Sequence, residues 1–494
     1  NQFDFVNNAV GINSAATVYF NTTPDSLSIE QSAMLVGMLK NSSYFNPIRR
    51  PEETKQRRNV VLSQMVKYGY LSKQVADSLK PLDIVLNYRE QSHTAGLATY
   101  FREYIKATMI AYQPLRENFA NDETYGEALY QWENNPLYGW CRKNLKPDGS
   151  NYNLYNDGLK IYTTINSKMQ QYAEEALVNH LADEIQPAFY NVAYRFRNPP
   201  FSNDINNDEV RSIMEVSMRR SERFRRMSNA GKSADSIRIA FNTPIPMKLF
   251  SYKGLIDTVM SPMDSLRYYK FFVRASFMSM DPHTGAVRAY VGGPNFNFIK
   301  YDGVTTQKRQ VGSTIKPFLY TLAMQDGYSP CWEVDNIPYS FQIGDSIWEP
   351  RSSGPKDMHG KKVTLRWGLA QSENYISAWL MKQFSPVAVA DLMNRMGIRS
   401  YIPPYPSIFL GTAELSLEEM VGAYTTYSNK GVYTKPYYVT RIEDKNGNVL
   451  ARFNPTIDEV LTEEQAYLMT NLLEGVVKTR SEEHTSELQS LSHL

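Results

Sequence analysis

The sequence predicts a multidomain α+β chain. Three observations carry that prediction. The first 80 or so residues hold helix signals and no strand pattern. From about residue 156 onward, strand and helix patterns mix. A length of 494 residues exceeds what one hydrophobic core organises, and the expectation is roughly three domains. The predicted division is helical residues 1–80, a connector over 81–155, a mixed domain over 156–479 and an unstructured tail over 480–494.

Taken in order, Ser28 and the segment Pro51-Glu52-Glu53 are helix starts, a capping serine and a proline followed by acidic first-turn residues. The connector is rich in Tyr, Asn and Pro, with one helical piece near Tyr100 to Tyr112 and a turn at Asp148-Gly149-Ser150-Asn151. Gly158 to Ile165 reads as a strand. Asn166 or Ser167 then caps a helix that places Met169, Tyr172, Ala173, Ala176 and Leu177 on one apolar face. Arg211 to Met227 is strongly basic and reads as a solvated helix, the alternative being a docking face for an anionic glycan or a protein. Met278 to Gly293 alternates apolar residues around Asp281-Pro282-His283-Thr284-Gly285, a hairpin signal.

Composition excludes several classes. Hydrophobic residues make up 42% and charged residues 21%, ordinary for a globular chain, and a net charge of +2 gives no footprint for nucleic acid. No apolar run approaches the ~18 residues of a membrane span. Cys141 and Cys331 are too few for a disulfide framework; whether they pair is not legible. His93, His180, His283 and His359 lack metal-ligand spacing, and no glycine loop suits a phosphate, so neither metal nor cofactor is expected.

The chemistry lies in Gly312-Ser313-Thr314-Ile315-Lys316-Pro317-Phe318. On a helix, positions i and i+3 share a face, so Ser313 and Lys316 are neighbours. A serine hydroxyl attacks only when a neighbouring base takes its proton, and a lysine can be that base. Ser353-Gly354-Pro355-Lys356 repeats the spacing, but Gly and Pro oppose a helix there. Ser372-Glu373-Asn374 follows Ser313 between helix-like apolar segments. Ser-x-x-Lys followed by Ser-x-Asn is the order of the penicillin-binding and serine β-lactamase signature, whose third element is Lys-Thr-Gly.

Arg309 to Tyr320 closely resembles the nucleophile segment of class A penicillin-binding proteins, and Met278 to Gly293 resembles the first hairpin of their transpeptidase domain. Gly11 to Phe20, Leu27 to Leu39, Asn46-Pro47 and Arg57 to Leu62 resemble the end of their glycosyltransferase domain. The resemblance implies a remnant of an all-α, lysozyme-like glycosyltransferase domain. A serine DD-peptidase/β-lactamase-like transpeptidase domain follows, an antiparallel sheet flanked by helices. The two glutamates that the family uses for glycosyl transfer would lie upstream of Asn1, so no glycosyltransferase activity is expected of this chain. Arg57 and Arg58 are then expected on a solvated helix face, the alternative being phosphate binding in the intact enzyme. Lys478-Thr479-Arg480 is not read as the third motif, and the text from Arg480 resembles translated sequencing adapter.

The implied activity is a D,D-transpeptidase that cross-links peptidoglycan stem peptides. Ser313 is the nucleophile, and Lys316 is a base kept partly neutral by its surroundings. Ser372 relays a proton to the leaving D-alanine. Asn374 holds Lys316 and the substrate amide. Implied partners are stem peptides, lipid-linked precursor and β-lactams. The implied place is the periplasmic face of the bacterial inner membrane, through an N-terminal anchor not in this chain. The rivals are a non-catalytic penicillin-binding scaffold or β-lactam sensor, which the absent third motif favours, and a serine β-lactamase, which the glycosyltransferase-like segment opposes.

Overall fold

The structure, a computed structural model, describes residues 3–7, 9–89 and 96–481, with the side chains of 479–481 left out. Most of the tail expected to be unstructured, 482–494, lies outside the described residues, while its first two residues end the helix Glu463–Ser481. The chain divides into two compact units. One holds the chain up to Leu115 with Ala128–Tyr162 and Arg441–Arg452; the other holds Arg116–Glu127, Thr163–Thr440 and the chain from Phe453 on.

The first unit begins with helices Gly11–Phe20, Ile29–Met38, Pro51–Lys67 and Lys73–Leu79. Ser28 closes a capping box: its hydroxyl accepts from Gln31 N at 3.3 Å and its own N–H donates to Gln31 Oε1 at 3.0 Å. Phe5, Val18, Tyr19, Met34, Leu35 and Met38 form the local core. The expectation of a solvated face for Arg57 and Arg58 is wrong. Arg58 is 1% exposed. Its Nη2 donates to the carbonyls of Leu79, Lys80 and Leu82 at 3.3, 3.1 and 2.6 Å. The helix Lys73–Leu79 ends there, and its last carbonyls have no partner within the helix. A guanidinium, with five N–H donors and no acceptor, answers that need. Arg57 is half-buried and lies 5.9 Å from the Phe45 ring centre.

The helix expected near residue 100 is Thr99–Ile110, and a further helix not anticipated runs Asp122–Asn134. Gly149 makes the expected turn at φ +78°. The predicted strand after it is Lys160–Thr163, joined to Val439–Glu443 and Val449–Arg452 in a three-stranded sheet.

In the second unit, Asn166 caps the helix Ser167–His180, its Oδ1 accepting from the N–H groups of Lys168 and Met169 at 3.1 Å. The predicted apolar face of this helix needs correcting. Met169, Tyr172 and Ala176 are exposed, while Ala173 and Leu177 pack on Ala289 and Val291 beside a fully buried Gln170. The Gln170 amide donates to Tyr290 O at 2.8 Å and accepts from Tyr290 N at 2.7 Å. A strand edge needs both its backbone groups satisfied, and one glutamine does this. The hairpin forms from Phe277–Met280 and Val287–Val291, antiparallel, with Gly285 at φ +74° and Asp281 Oδ1 accepting from His283 N and Thr284 N. The basic segment is two helices, Asn207–Arg220 and Glu222–Asn229. Ser221 divides them, its hydroxyl accepting from Phe224 N. Val210, Met214 and Met218 turn inward, while Arg211, Arg219 and Arg226 pair with Asp208, Glu215 and Glu222 at the surface.

The main core surrounds the helix Lys316–Gln325. Phe318, Leu319, Tyr320 and Ala323 are fully buried, as suits a helix apolar on all sides. The helices Leu365–Ala370, Asn374–Gln383, Pro386–Arg395, Leu417–Ser428 and Glu463–Ser481 supply the shell. Lys478 lies on the last of these, 3.4 Å from Glu474, so the Lys-Thr there is helical rather than a strand motif.

Candidate active site

Ser313 stands on a short 3₁₀ turn, Gly312–Ile315, which leads directly into the helix at Lys316. Pro317 in the first turn fits because its missing N–H would have no partner there. The turn is fixed from outside: Gly312 N donates to Gly411 O at 3.1 Å and Val311 N to Ala413 O at 3.2 Å. A Cβ on Gly411, itself at φ +75°, would stand 1.9 Å from Gly312 O, so only glycine permits this approach. Tyr424 Oη donates to Thr314 O at 2.5 Å. Ser313 is exposed on this braced turn, while Lys316, one turn on, has no exposed surface.

The structure brings Lys316 together with the second motif. Lys316 Nζ donates to Ser372 O at 2.5 Å, Ser372 Oγ at 3.1 Å and Asn374 Oδ1 at 2.8 Å. Asn374 Nδ2 donates to Arg351 O at 2.9 Å, which fixes the amide with its oxygen toward the lysine.

Ser372 has an unusual backbone. It closes the helix Leu365–Ala370: its N–H bonds Leu369 O at 2.9 Å and the Glu373 N–H bonds Gly368 O at 2.8 Å. This pair of bonds is the Schellman ending, whose left-handed residue is usually glycine. Here it is Ser372, at φ +54°. Such a conformation costs a side-chain-bearing residue about 1 kcal/mol or more. Glycine would remove that cost but would carry no hydroxyl to Lys316.

Sequence reading set Ser353 aside, and it does not form a helical pair with Lys356, which opens a separate 3₁₀ turn. Yet Ser353 Oγ lies 2.6 Å from Ser372 O and 3.1 Å from Asn374 N. Glu373, the middle residue of the second motif, is fully buried. Its carboxylate accepts from Ser352 Oγ at 2.9 Å, Gly354 N at 2.8 Å, Ser353 N at 3.3 Å and Tyr375 N at 3.1 Å. A Cβ on Gly354 would stand 2.2 Å from Glu373 Oε2. No local spacing reveals these contacts; the fold alone creates them. Among the described residues no cluster of His, Cys, Asp or Glu is placed to hold a metal, and both cysteines are free, Cys141 buried and Cys331 exposed.

Three family profiles match the chain in succession: a transglycosylase over residues 1–66, a penicillin-binding protein middle domain over 197–273 and a penicillin-binding protein transpeptidase domain over 275–490. Penicillin-binding protein 1A of Escherichia coli K12 is 28% identical over 478 residues, covering 91% of this chain and 52% of that one. Penicillin-binding protein 1A of Rickettsia bellii is 28% identical over 473 residues, covering 92% and 54%. The chain thus spans about half the length of the curated relatives it matches. The crystal structure of penicillin-binding protein 1A from Haemophilus influenzae shares the fold, with a TM-score of 0.58 at 22% identity over 95% of this chain and 70% of that one. With a transglycosylase segment ahead of a transpeptidase domain, and 1A proteins among its relatives, the chain has the domain order of a class A penicillin-binding protein and is similar to that family.

Proposed function

We propose that this protein is a peptidoglycan D,D-transpeptidase working through an acyl-enzyme on Ser313. One observation carries the proposal: an exposed serine stands one turn before an enclosed lysine whose side-chain nitrogen is gripped by the Ser372 hydroxyl and the Asn374 amide. Ser313 Oγ attacks the carbonyl carbon of the penultimate D-alanine of a stem peptide, and its proton passes to neutral Lys316. The tetrahedral adduct collapses and the C–N bond to the terminal D-alanine breaks. The leaving amine takes a proton through Ser372, which touches Lys316. An amine of a second stem peptide then attacks the ester, forms the cross-link and returns the Ser313 proton. Penicillins enter the same path at the first step, because their ring carbonyl acylates the serine.

The transglycosylase segment supports reading the intact protein as bifunctional, polymerising glycan from lipid-linked precursor as well as cross-linking it. Its place is the periplasmic face of the inner membrane, on an N-terminal anchor. No helix among the described residues is long and apolar enough to cross a membrane. Labelling with a fluorescent penicillin tests the acyl-enzyme. The wild-type chain takes the label covalently and Ser313→Ala takes none; label retained by Ser313→Ala rules out the assignment.

A further inference from the structure

The segment 351–354 does more than pass near the second motif. It is bonded to all three residues of Ser372-Glu373-Asn374. Arg351 O holds the Asn374 side-chain amide, Ser353 Oγ bridges Ser372 O and Asn374 N, and the Ser352 hydroxyl and the Gly354 and Ser353 N–H groups converge on the Glu373 carboxylate. Within this strap, Ser353 has one hydrogen to give and lone pairs to receive. It gives the hydrogen to Ser372 O and receives from Asn374 N. Ser372 O is also the oxygen that Lys316 contacts at 2.5 Å.

We propose that Ser353 is a positioning residue of the transpeptidase centre, and that Glu373 anchors the strap that carries it. The proposal rests on the reading of Ser313 as nucleophile. Ser372 sits in a left-handed conformation that its side chain disfavours. Such a residue keeps that conformation only when its surroundings hold it. The Schellman bonds hold its own N–H and that of Glu373; Ser353 holds its C=O and the N–H of Asn374. With Ser353 in place, the carbonyl and the hydroxyl of Ser372 both face Lys316 Nζ. Without it, the Ser372 carbonyl loses one of its two donors and the Asn374 N–H loses its acceptor, so the lysine loses a fixed geometry rather than a partner. Glu373 sets the strap's height: its carboxylate fills the space where any side chain on Gly354 would project. Glu373 itself touches none of the reacting groups.

The test is the kinetics of acylation by a fluorescent penicillin, resolved into the limiting acylation rate and the half-saturating concentration. Ser353→Ala lowers the limiting rate about ten-fold, the worth of one well-placed hydrogen bond, and leaves the half-saturating concentration unchanged. Ser353→Thr, which keeps the hydroxyl, restores the rate to within about two-fold of wild type. Glu373→Gln keeps the shape but offers N–H where the strap presents donors, and lowers the same rate with unchanged half-saturation. Ser353→Ala acylated at the wild-type rate, or Ser353→Thr as slow as Ser353→Ala, overturns the proposal. A wild-type chain that takes no label overturns the transpeptidase reading, and this inference with it.

Discussion

Among the described residues two basic side chains are wholly enclosed, and they differ in what surrounds them. Arg58 is held mainly by backbone carbonyls at the end of a short helix. Lys316 is held by one carbonyl, one hydroxyl and one side-chain amide, a single turn from an exposed serine. Burying a cation is costly unless it is hydrogen-bonded, so both sites were built rather than left over. Carbonyls alone make a staple: they accept, and they can pass no proton. A hydroxyl both accepts and donates, so the Lys316 site can move a proton as well as hold a charge. Burial therefore does not separate these two cations; the chemistry of their partners does.

Exchanging the two cations in turn gives the largest separation. Lys316→Ala should lower the penicillin acylation rate by about a thousand-fold or more, the scale of a lost general base. Arg58→Met should leave that rate within about two-fold of wild type. It should cost the first unit about 3 kcal/mol in urea unfolding, because the carbonyls of Leu79, Lys80 and Leu82 lose their donor in a buried place. Equal loss of acylation in both variants would erase the distinction.

Ser372 offers a finer cut. Ser372→Gly relieves the left-handed strain and should raise stability by about 1 kcal/mol, read as a higher Tm. The same change removes the hydroxyl from Lys316 and should slow acylation about a hundred-fold. A variant that gains stability and keeps its rate would reduce Ser372 to a helix ending.

The smallest effect concerns two neighbouring carboxylates that repeat the lesson with the opposite charge. Burial pushes the Glu418 carboxyl up to about 7, against the hydrogen bond from the Tyr438 hydroxyl. Glu419 also feels burial, but the N–H groups of Ser416, Ser400 and Arg399 bring it below its ordinary value. Glu418 keeps its proton when folded and releases it near its ordinary value of 4.5 when unfolded. Its contribution to stability is complete below about pH 4.5 and is lost as pH rises toward 7. Glu418→Gln cannot titrate, so the decline in Tm between pH 5 and pH 8 should be shallower than in wild type. An unchanged slope would show that Glu418 is already ionised in the folded protein.

What the sequence made legible was local. Ser28, Asn166 and the Asp281–Gly285 turn act within a few positions of themselves, and each stands where its pattern placed it. The separation of Ser313 from Lys316 is likewise a property of one turn. What stayed hidden depended on partners far along the chain. Arg58 finds its carbonyls 21 to 24 residues away, and Gln170 meets Tyr290 120 residues on. On a helical wheel Gln170 is polar and Met169 apolar, so the pattern turned the helix the wrong way. Ser353 carried the nucleophile spacing, and the correct rejection of that spacing concealed its contact with Ser372.

The most direct test of the distinction between the two enclosed cations is peptide mapping by mass spectrometry after brief exposure to penicillin. Wild type and Arg58→Met should carry the penicilloyl mass on the peptide containing Ser313, and Lys316→Ala should carry none at that time point. A penicilloyl adduct on another serine, or a Lys316→Ala chain acylated as fast as wild type, would contradict it.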